Sequence, residues 1–330
     1  MKAVVYTEYG SPDVLQLKEV EKPVPKDNEV LVKVSMTTVT VADSRVRSFT
    51  VPLSYWLPAR IALGIRKPKQ AILGAELAGE VEAVGKAVRR FKPGDQVFAS
   101  TLEHGFGAYA EYRCLPEDGL LAIRSARLTP EQVTTLPIGG RTALYYLRAA
   151  NIQPGQKVLI YGASGSVGTF AVQIAQSFGA EVTAVCSTRN LEMARSLGAD
   201  HVIDYTKEDF TQNGLRYDLI FAVNGYHPLS AYQRPPNPQG NYVCAGGALA
   251  QIFQAMLLGS WLSRKRGKKM GFMGIAKTDQ KDLALMTELL ETGKVAPVIE
   301  RYYPLSEVAE AIRYLAEGHA KGKVVITVGH

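Results

Sequence analysis

The chain has 330 residues, of which 46% are hydrophobic and 21% charged, and its net charge is +7. That content excludes general disorder and suits two domains or one large one; the modest positive charge favours anionic ligands without implying nucleic acid. No apolar run reaches the roughly 20 residues that span a bilayer, and Cys114, Cys186 and Cys244 lie far apart with no pair at metal-ligand spacing, which argues against a disulfide framework and for a reducing, cytoplasmic compartment.

In chain order, Met1-Lys2-Ala3-Val4-Val5-Tyr6 reads as a strand rather than a signal peptide. Short apolar runs follow at Val30 to Val34, Leu77 to Val84, Gln96 to Ala99 and Ala108 to Leu115, punctuated by Pro12, Pro23, Pro25, Pro93 and Gly94. Runs of that length between turn residues predict a mostly antiparallel β domain over residues 1–125. From about Thr129 the rhythm changes to alternating helix and strand. Helices are predicted at Pro130–Leu136, Arg141–Ala150, Val167–Phe178 and Leu191–Leu197, and strands at Val158–Tyr161, Val182–Cys186, Val202–Asp204, Asp218–Val223 and Asn241–Ala245. This order is that of a doubly wound parallel sheet. Helix Asp279–Glu291, strand Val298–Tyr303, helix Ser306–Glu317 and strand Lys323–Val328 close the chain, the last strand expected to pair back into the first domain.

The run Gly162-Ala163-Ser164-Gly165-Ser166-Val167-Gly168 lies between a predicted buried strand and an amphipathic helix. That context suits a dinucleotide: the glycines allow a tight turn and close approach to a pyrophosphate, and the helix N-terminus offers free N–H groups. The next strand ends in Cys186-Ser187-Thr188-Arg189, with no acid before Glu192. An NAD site usually ends this strand with an acid for the ribose hydroxyls. Hydroxyls and a guanidinium suit a 2′-phosphate instead, so the predicted cofactor is NADP(H).

Several ordered segments resemble the medium-chain dehydrogenase/reductase superfamily, in its zinc-free quinone oxidoreductase (zeta-crystallin-like) branch. They are the opening with Gly10-Ser11-Pro12-Asp13, the stretch Gly74-Ala75-Glu76-Leu77-Ala78-Gly79 followed by Lys92-Pro93-Gly94-Asp95, the segment Gly139-Gly140-Arg141-Thr142, and the end Gly318-His319-Ala320-Lys321-Gly322-Lys323. The resemblance implies an α/β fold in which a Rossmann domain, 126–275, is inserted in a GroES-like, mostly antiparallel catalytic domain made by 1–125 and 276–330. It implies a cleft between the two for nicotinamide and substrate, and a homodimer. It places Ser187, Arg189 and Tyr205 at the 2′-phosphate and Ser164, Gly165, Ser166 and Val167 at the pyrophosphate. Thr142 falls near the phosphates or the nicotinamide end, Asn224 beside the cofactor, and Gly246 and Gly247 against the nicotinamide.

Zinc relatives hold their metal with cysteine and with a glycine-histidine-glutamate motif. Here the first position reads Thr37-Thr38-Val39-Thr40 and the motif reads Gly74-Ala75-Glu76, so no zinc site is expected and Glu76 is expected as a packed or hydrogen-bonded acid. Thr40 stands where relatives often carry asparagine and is a candidate pocket residue able to donate to a substrate oxygen; Asp43 is expected to hold its loop or a base such as Arg45 or Arg47. The apolar stretch 49–70 reads either as a substrate-pocket wall, with Tyr55 as a candidate proton donor, or as a helix packed on the domain. His227 is expected to be exposed, and the basic run Arg264-Lys265-Arg266-Gly267-Lys268-Lys269 to be a solvated loop, with lipid or RNA contact as its other readings.

Without a metal electrophile, conjugate reduction is the easier chemistry. Hydride adds to the β-carbon of an enone, enal or quinone, and hydrogen-bond donors hold the resulting oxyanion. The expected activity is NADPH-dependent reduction of a hydrophobic enone or quinone. A zinc-free alcohol or aldehyde dehydrogenase and a non-catalytic NADPH-binding sensor are the alternatives. Arg189→Glu is expected to weaken NADPH binding far more than NADH binding, measured by fluorescence titration; equal losses would refute the 2′-phosphate assignment.

Overall fold

The computed structural model describes residues 1–51, 56–224, 227, 231–233, 236–247, 270–272 and 279–329. The chain divides into two compact units, Met1–Ile138 with Thr278–Thr287 and Ile299–His330, and Gly139–Lys277 with Glu288–Val298.

The first unit opens with β1 (Lys2–Val5) and β2 (Gln16–Glu19), paired antiparallel with Lys2 opposite Glu19. The long strand β3 (Glu29–Val39) follows, then α1 (Val41–Ser48) and α2 (Trp56–Leu63). Next come β4 (Glu76–Val84), β5 (Gln96–Ser100), β6 (Tyr112–Pro116), β7 (Leu121–Ile123) and α3 (Pro130–Val133). The second unit carries α4 (Arg141–Ala149), β8 (Lys157–Tyr161), α5 (Ser166–Ser177), β9 (Glu181–Cys186), α6 (Leu191–Ser196) and β10 (His201–Asp204). It continues through β11 (Tyr217–Ala222), β12 (Pro236–Cys244) and β13 (Met270–Phe272). Helix α7 (Gln280–Glu291), β14 (Ile299–Pro304), α8 (Val308–Ala316) and β15 (Lys323–Thr327) end the chain.

The antiparallel pattern of the first unit is as the sequence indicates. Among the described residues its sheet runs β14-β15-β3-β4-β5-β7, with β6 also on β3, and only the β14–β15 pair is parallel. The closing strand does return: Val325 of β15 faces Thr38 of β3. Val30, Val32 and Val34 alternate along β3 and meet Leu77 and Val81 of β4 and Val324 and Ile326 of β15 in one core, which is what period-2 patterning of apolar residues produces.

In the second unit the sheet is parallel, in the order β10-β9-β8-β11-β12-β13. The chain starts in the middle at β8, winds outward through β9 and β10, then returns to the other side of β8. Two neighbouring strands with connections leading opposite ways create a crevice at their carboxyl ends, here between β8 and β11.

Three elements differ from expectation for local reasons. The predicted strand Ala108–Leu115 begins only at Tyr112. Phe106 and Gly107 take positive φ, and the next residues bond elsewhere: Tyr109 N–H to Leu73 O at 2.9 Å, and Ala110 in a bridge to Ala3. The helix expected over Pro130–Leu136 stops at Val133, and a π turn occupies Leu136–Gly140, where Pro137 removes a donor. Helix α1 has no apolar period; it rests on the reciprocal cap formed by Thr40 and Asp43.

Candidate active site

In the second unit the predicted cofactor residues other than Thr142 lie along the carboxyl edge of the parallel sheet. After β8 the backbone turns at Gly162 and enters α5, whose N-cap is Gly165 with no side-chain cap. A Cβ on Gly168 would sit 2.1 Å from the Gly162 carbonyl oxygen, so only glycine lets the first turn of α5 press on the loop. Ser164, Gly165, Ser166 and Val167 therefore lie at an uncapped helix N-terminus beside the β8–β11 crevice. The Ser166 Oγ is buried and has no hydrogen-bond partner among the described residues. An orphaned buried hydroxyl beside uncapped N–H groups fits a phosphate, which would accept from both.

At the next strand end, Ser187 precedes a 3-10 turn over Thr188–Asn190 that holds Arg189 on the surface. The Tyr205 N–H donates to the Cys186 carbonyl at 3.2 Å, so Ser187, Arg189 and Tyr205 are gathered at the ends of β9 and β10. Two anchors of this turn were not read from the sequence. Asn190 is buried and its Nδ2 donates to Ser187 Oγ at 3.1 Å. The Asp204 carboxylate accepts from the Thr188 and Thr206 hydroxyls and from Thr206 N–H, with Lys207 Nζ at 3.7 Å. Those hydrogen bonds hold its pKa down at about 2. The sequence signal was available in part: Asp204 ends a predicted strand, but only strand pairing shows that it faces Thr188.

Asn224, after β11, packs against the turn: a Cβ on Gly162 would meet Asn224 Cβ at 3.0 Å. Gly246, after β12, lies so close to the end of β11 that a Cβ there would be 2.8 Å from Val223 O, and Gly247 has φ +117°. Thr142 lies in the first turn of α4, beside the wholly buried Arg141. His227 is not simply exposed. Its ring lies 5.7 Å from Tyr161 and 5.5 Å from Phe210, half-buried in an aromatic nest with Tyr232. The basic run 264–269 and Tyr55 lie outside the described residues.

In the first unit, Thr40 caps α1 and its hydroxyl donates to Asp43 Oδ2 at 2.6 Å. Asp43 is fully buried, and it holds backbone rather than a base: Thr40 N–H and Gly74 N–H both donate to it, while Arg47 donates to Gly10 O. Burial pushes the Asp43 carboxyl up, against these hydrogen bonds.

Glu76, also fully buried, accepts from Lys323 Nζ, from Thr38 Oγ1 and, at 2.8 Å, from Ile138 N–H. A zinc ion does not fit here. The acid is already neutralised by an ammonium, and no group of three His, Cys, Asp or Glu is placed to hold a metal among the described residues.

Residues 26–125 match the family described as "Alcohol dehydrogenase GroES-like domain" and residues 197–326 match "Zinc-binding dehydrogenase". The chain is 32% identical to an NADPH-dependent alkenal/one oxidoreductase of Arabidopsis thaliana, across 99% of this chain and 79% of that protein. It is 31% identical to quinone-oxidoreductase QR1 of Triphysaria versicolor, across 99% and 98%. Among solved structures, the quinone oxidoreductase from Coxiella burnetii superposes with a TM-score of 0.87 at 26% identity, covering 100% of this chain and 99% of its own.

Two outcomes follow. Lys323→Met leaves Glu76 as a buried, unmatched carboxylate and is expected to lower stability by about 3–5 kcal/mol in urea unfolding, with much of the loss recovered in the Glu76→Gln/Lys323→Met double variant. Because the folded-state pKa of Asp204 is depressed, its stabilisation is complete above the ordinary 3.8 and is lost as pH falls through about 2. Asp204→Asn should therefore be less stable than the parent at pH 7, with the difference shrinking from about pH 4 downward in pH-resolved unfolding.

Proposed function

We propose, from the fact that the chain belongs to the medium-chain dehydrogenase/reductase superfamily in its zinc-independent quinone oxidoreductase branch, that it reduces quinones and α,β-unsaturated carbonyls with NADPH. The observation that carries this reading is the closure of Glu76 by Lys323, Thr38 and the Ile138 N–H. With the acid spent on an ammonium, no ligand set for an electrophilic metal remains there among the described residues. The acceptor must then bring its own sink for negative charge, which an enone or a quinone ring does and a simple aldehyde does not.

When bound, NADPH supplies the hydride to the β-carbon of the enone or to the quinone. The chain's residues bind and orient. The uncapped start of α5, with Ser164, Gly165, Ser166 and Val167, takes the pyrophosphate. Ser187, Arg189 and Tyr205 take the 2′-phosphate; each charge-assisted hydrogen bond there contributes roughly 1.5–3 kcal/mol. Asn224, Gly246 and Gly247 take the cofactor farther along the sheet edge, and Thr142 its phosphates or nicotinamide end. Thr40 is assigned to the pocket wall. Its proton is donated to Asp43, so the proton that completes the reduction falls to water or to Tyr55. The sparse, unpaired cysteines support a reducing, cytoplasmic setting, and β12, the fifth strand of the parallel sheet, with the segment after it is the proposed seam of a homodimer.

The test is NADPH consumption by the purified protein with a quinone, an unsaturated ketone and a saturated aldehyde, each before and after chelation. Chelator-resistant turnover of the first two alone is expected. Turnover of the saturated aldehyde alone would replace the proposal with an alcohol or aldehyde oxidoreductase. NADPH binding without turnover of any acceptor would make the protein a sensor.

A further inference from the structure

Helix α2 is built inside out. A helix on the surface of a water-soluble domain turns its apolar side inward and its charges outward. Here the exposed side chains are Trp56, Leu57, Ile61 and, in the turn that follows, Ile65, at 46%, 62%, 58% and 70% exposure. The one charged residue of the helix points the other way. The Arg60 guanidinium lies 3.9 Å from the ring centre of Phe49, 4.8 Å from that of Tyr9 and 5.3 Å from that of Trp56, and its Nη1 donates to Ile65 O. The arrangement is fixed rather than frayed: Tyr9 Oη donates to Gly64 O at 3.2 Å, and Lys69 Nζ donates to Ile61 O at 2.6 Å.

Within this segment the charges have one sign, although Arg47 is buried. Residues 44–75 contain Arg45, Arg47, Arg60, Arg66, Lys67 and Lys69 and no acid. Arg66 and Lys67 are exposed directly beside Ile65. We propose that α2 and the turn after it seat the protein on an anionic lipid surface, with Trp56, Leu57, Ile61 and Ile65 entering the headgroup layer and Arg66 and Lys67 facing the lipid phosphates. Apolar side chains with basic neighbours are what an in-plane membrane contact requires. A second copy of the chain fits less well, because a two-fold contact through this face would set Arg66 and Lys67 near their own copies. The proposal does not depend on which acceptor the enzyme reduces.

The experiment is flotation of the full chain with phosphatidylcholine vesicles with and without phosphatidylglycerol. Binding to the anionic vesicles only, weakened by salt, is expected. Leu57→Ser/Ile61→Ser should abolish it, and Arg66→Gln/Lys67→Gln should lower partitioning roughly 25-fold. All of these residues are exposed, so unchanged thermal unfolding of the variants confirms that they are folded. Failure of the parent to float with anionic vesicles, or flotation that survives both double variants, overturns the proposal. So does an apolar double variant that turns a dimer into a monomer in size-exclusion while the parent ignores vesicles, since the face then belongs to a second copy.

Discussion

A carboxylate with no exposed surface must find its counter-charge inside the protein, and in this chain that demand joins distant parts of the sequence. Glu76 opens β4, Thr38 lies near the end of β3, Lys323 opens β15, and Ile138 lies in the π turn at the limit of the first unit. The other three all donate to the same acid. Removing water from a carboxylate and an ammonium costs several kcal/mol per ion, and only a matched geometry with further hydrogen bonds repays it. The three donors on Glu76 supply that match, and they bind the returning C-terminal strand to the strands laid down before position 84. This buried cluster thus adds to the β15–β3 pairing and the shared core that hold the split unit together.

The second unit solves a different problem with backbone. A parallel sheet wound both ways from β8 leaves its carboxyl edge open at the switch between β8 and β11. Apart from Thr142 in α4, the residues proposed for the cofactor fall on that edge, where the loops are the ones that the winding leaves uncovered. The glycines serve closeness: Gly168 lets α5 reach the Gly162 carbonyl, and Gly246 lets β12 end beside Val223.

The fold was legible where periodicity is strong and local. Strands β8 to β11 and helices α4 to α6 lie within a residue or so of their expected bounds, because a buried parallel strand and an amphipathic helix each leave a signature in neighbouring residues. Helix α1 was not legible, since it is held by a cap and not by an apolar stripe. The apolar run before Tyr112 has a strand-like pattern without forming that strand, because its residues answer to Leu73 and Ala3, more than 30 and 100 positions away. The candidate site divides in the same way. The glycine loop and the Ser187–Arg189 turn are contiguous in sequence, whereas the partners of Glu76 and His227, and the Thr188 partner of Asp204, come from pairing across the sheets or from packing of side chains far apart in the chain.

Asp204 looks out of place beside a proposed 2′-phosphate site, yet its surroundings resolve the difficulty. An acid at the tip of β9 would meet the ribose directly and repel a phosphate there. In this chain that tip carries Ser187, Thr188 and Arg189, and the acid has moved one strand outward to the end of β10. Its oxygens are taken by two hydroxyls and a backbone N–H, and Lys207 lies 3.7 Å away. The same bonds that hold its pKa near the bottom of the carboxylate range keep it ionised, and Lys207 is the cation that offsets that charge. What Asp204 contributes beside the proposed phosphate is a Thr188 hydroxyl fixed in place, and with it the turn that carries Arg189.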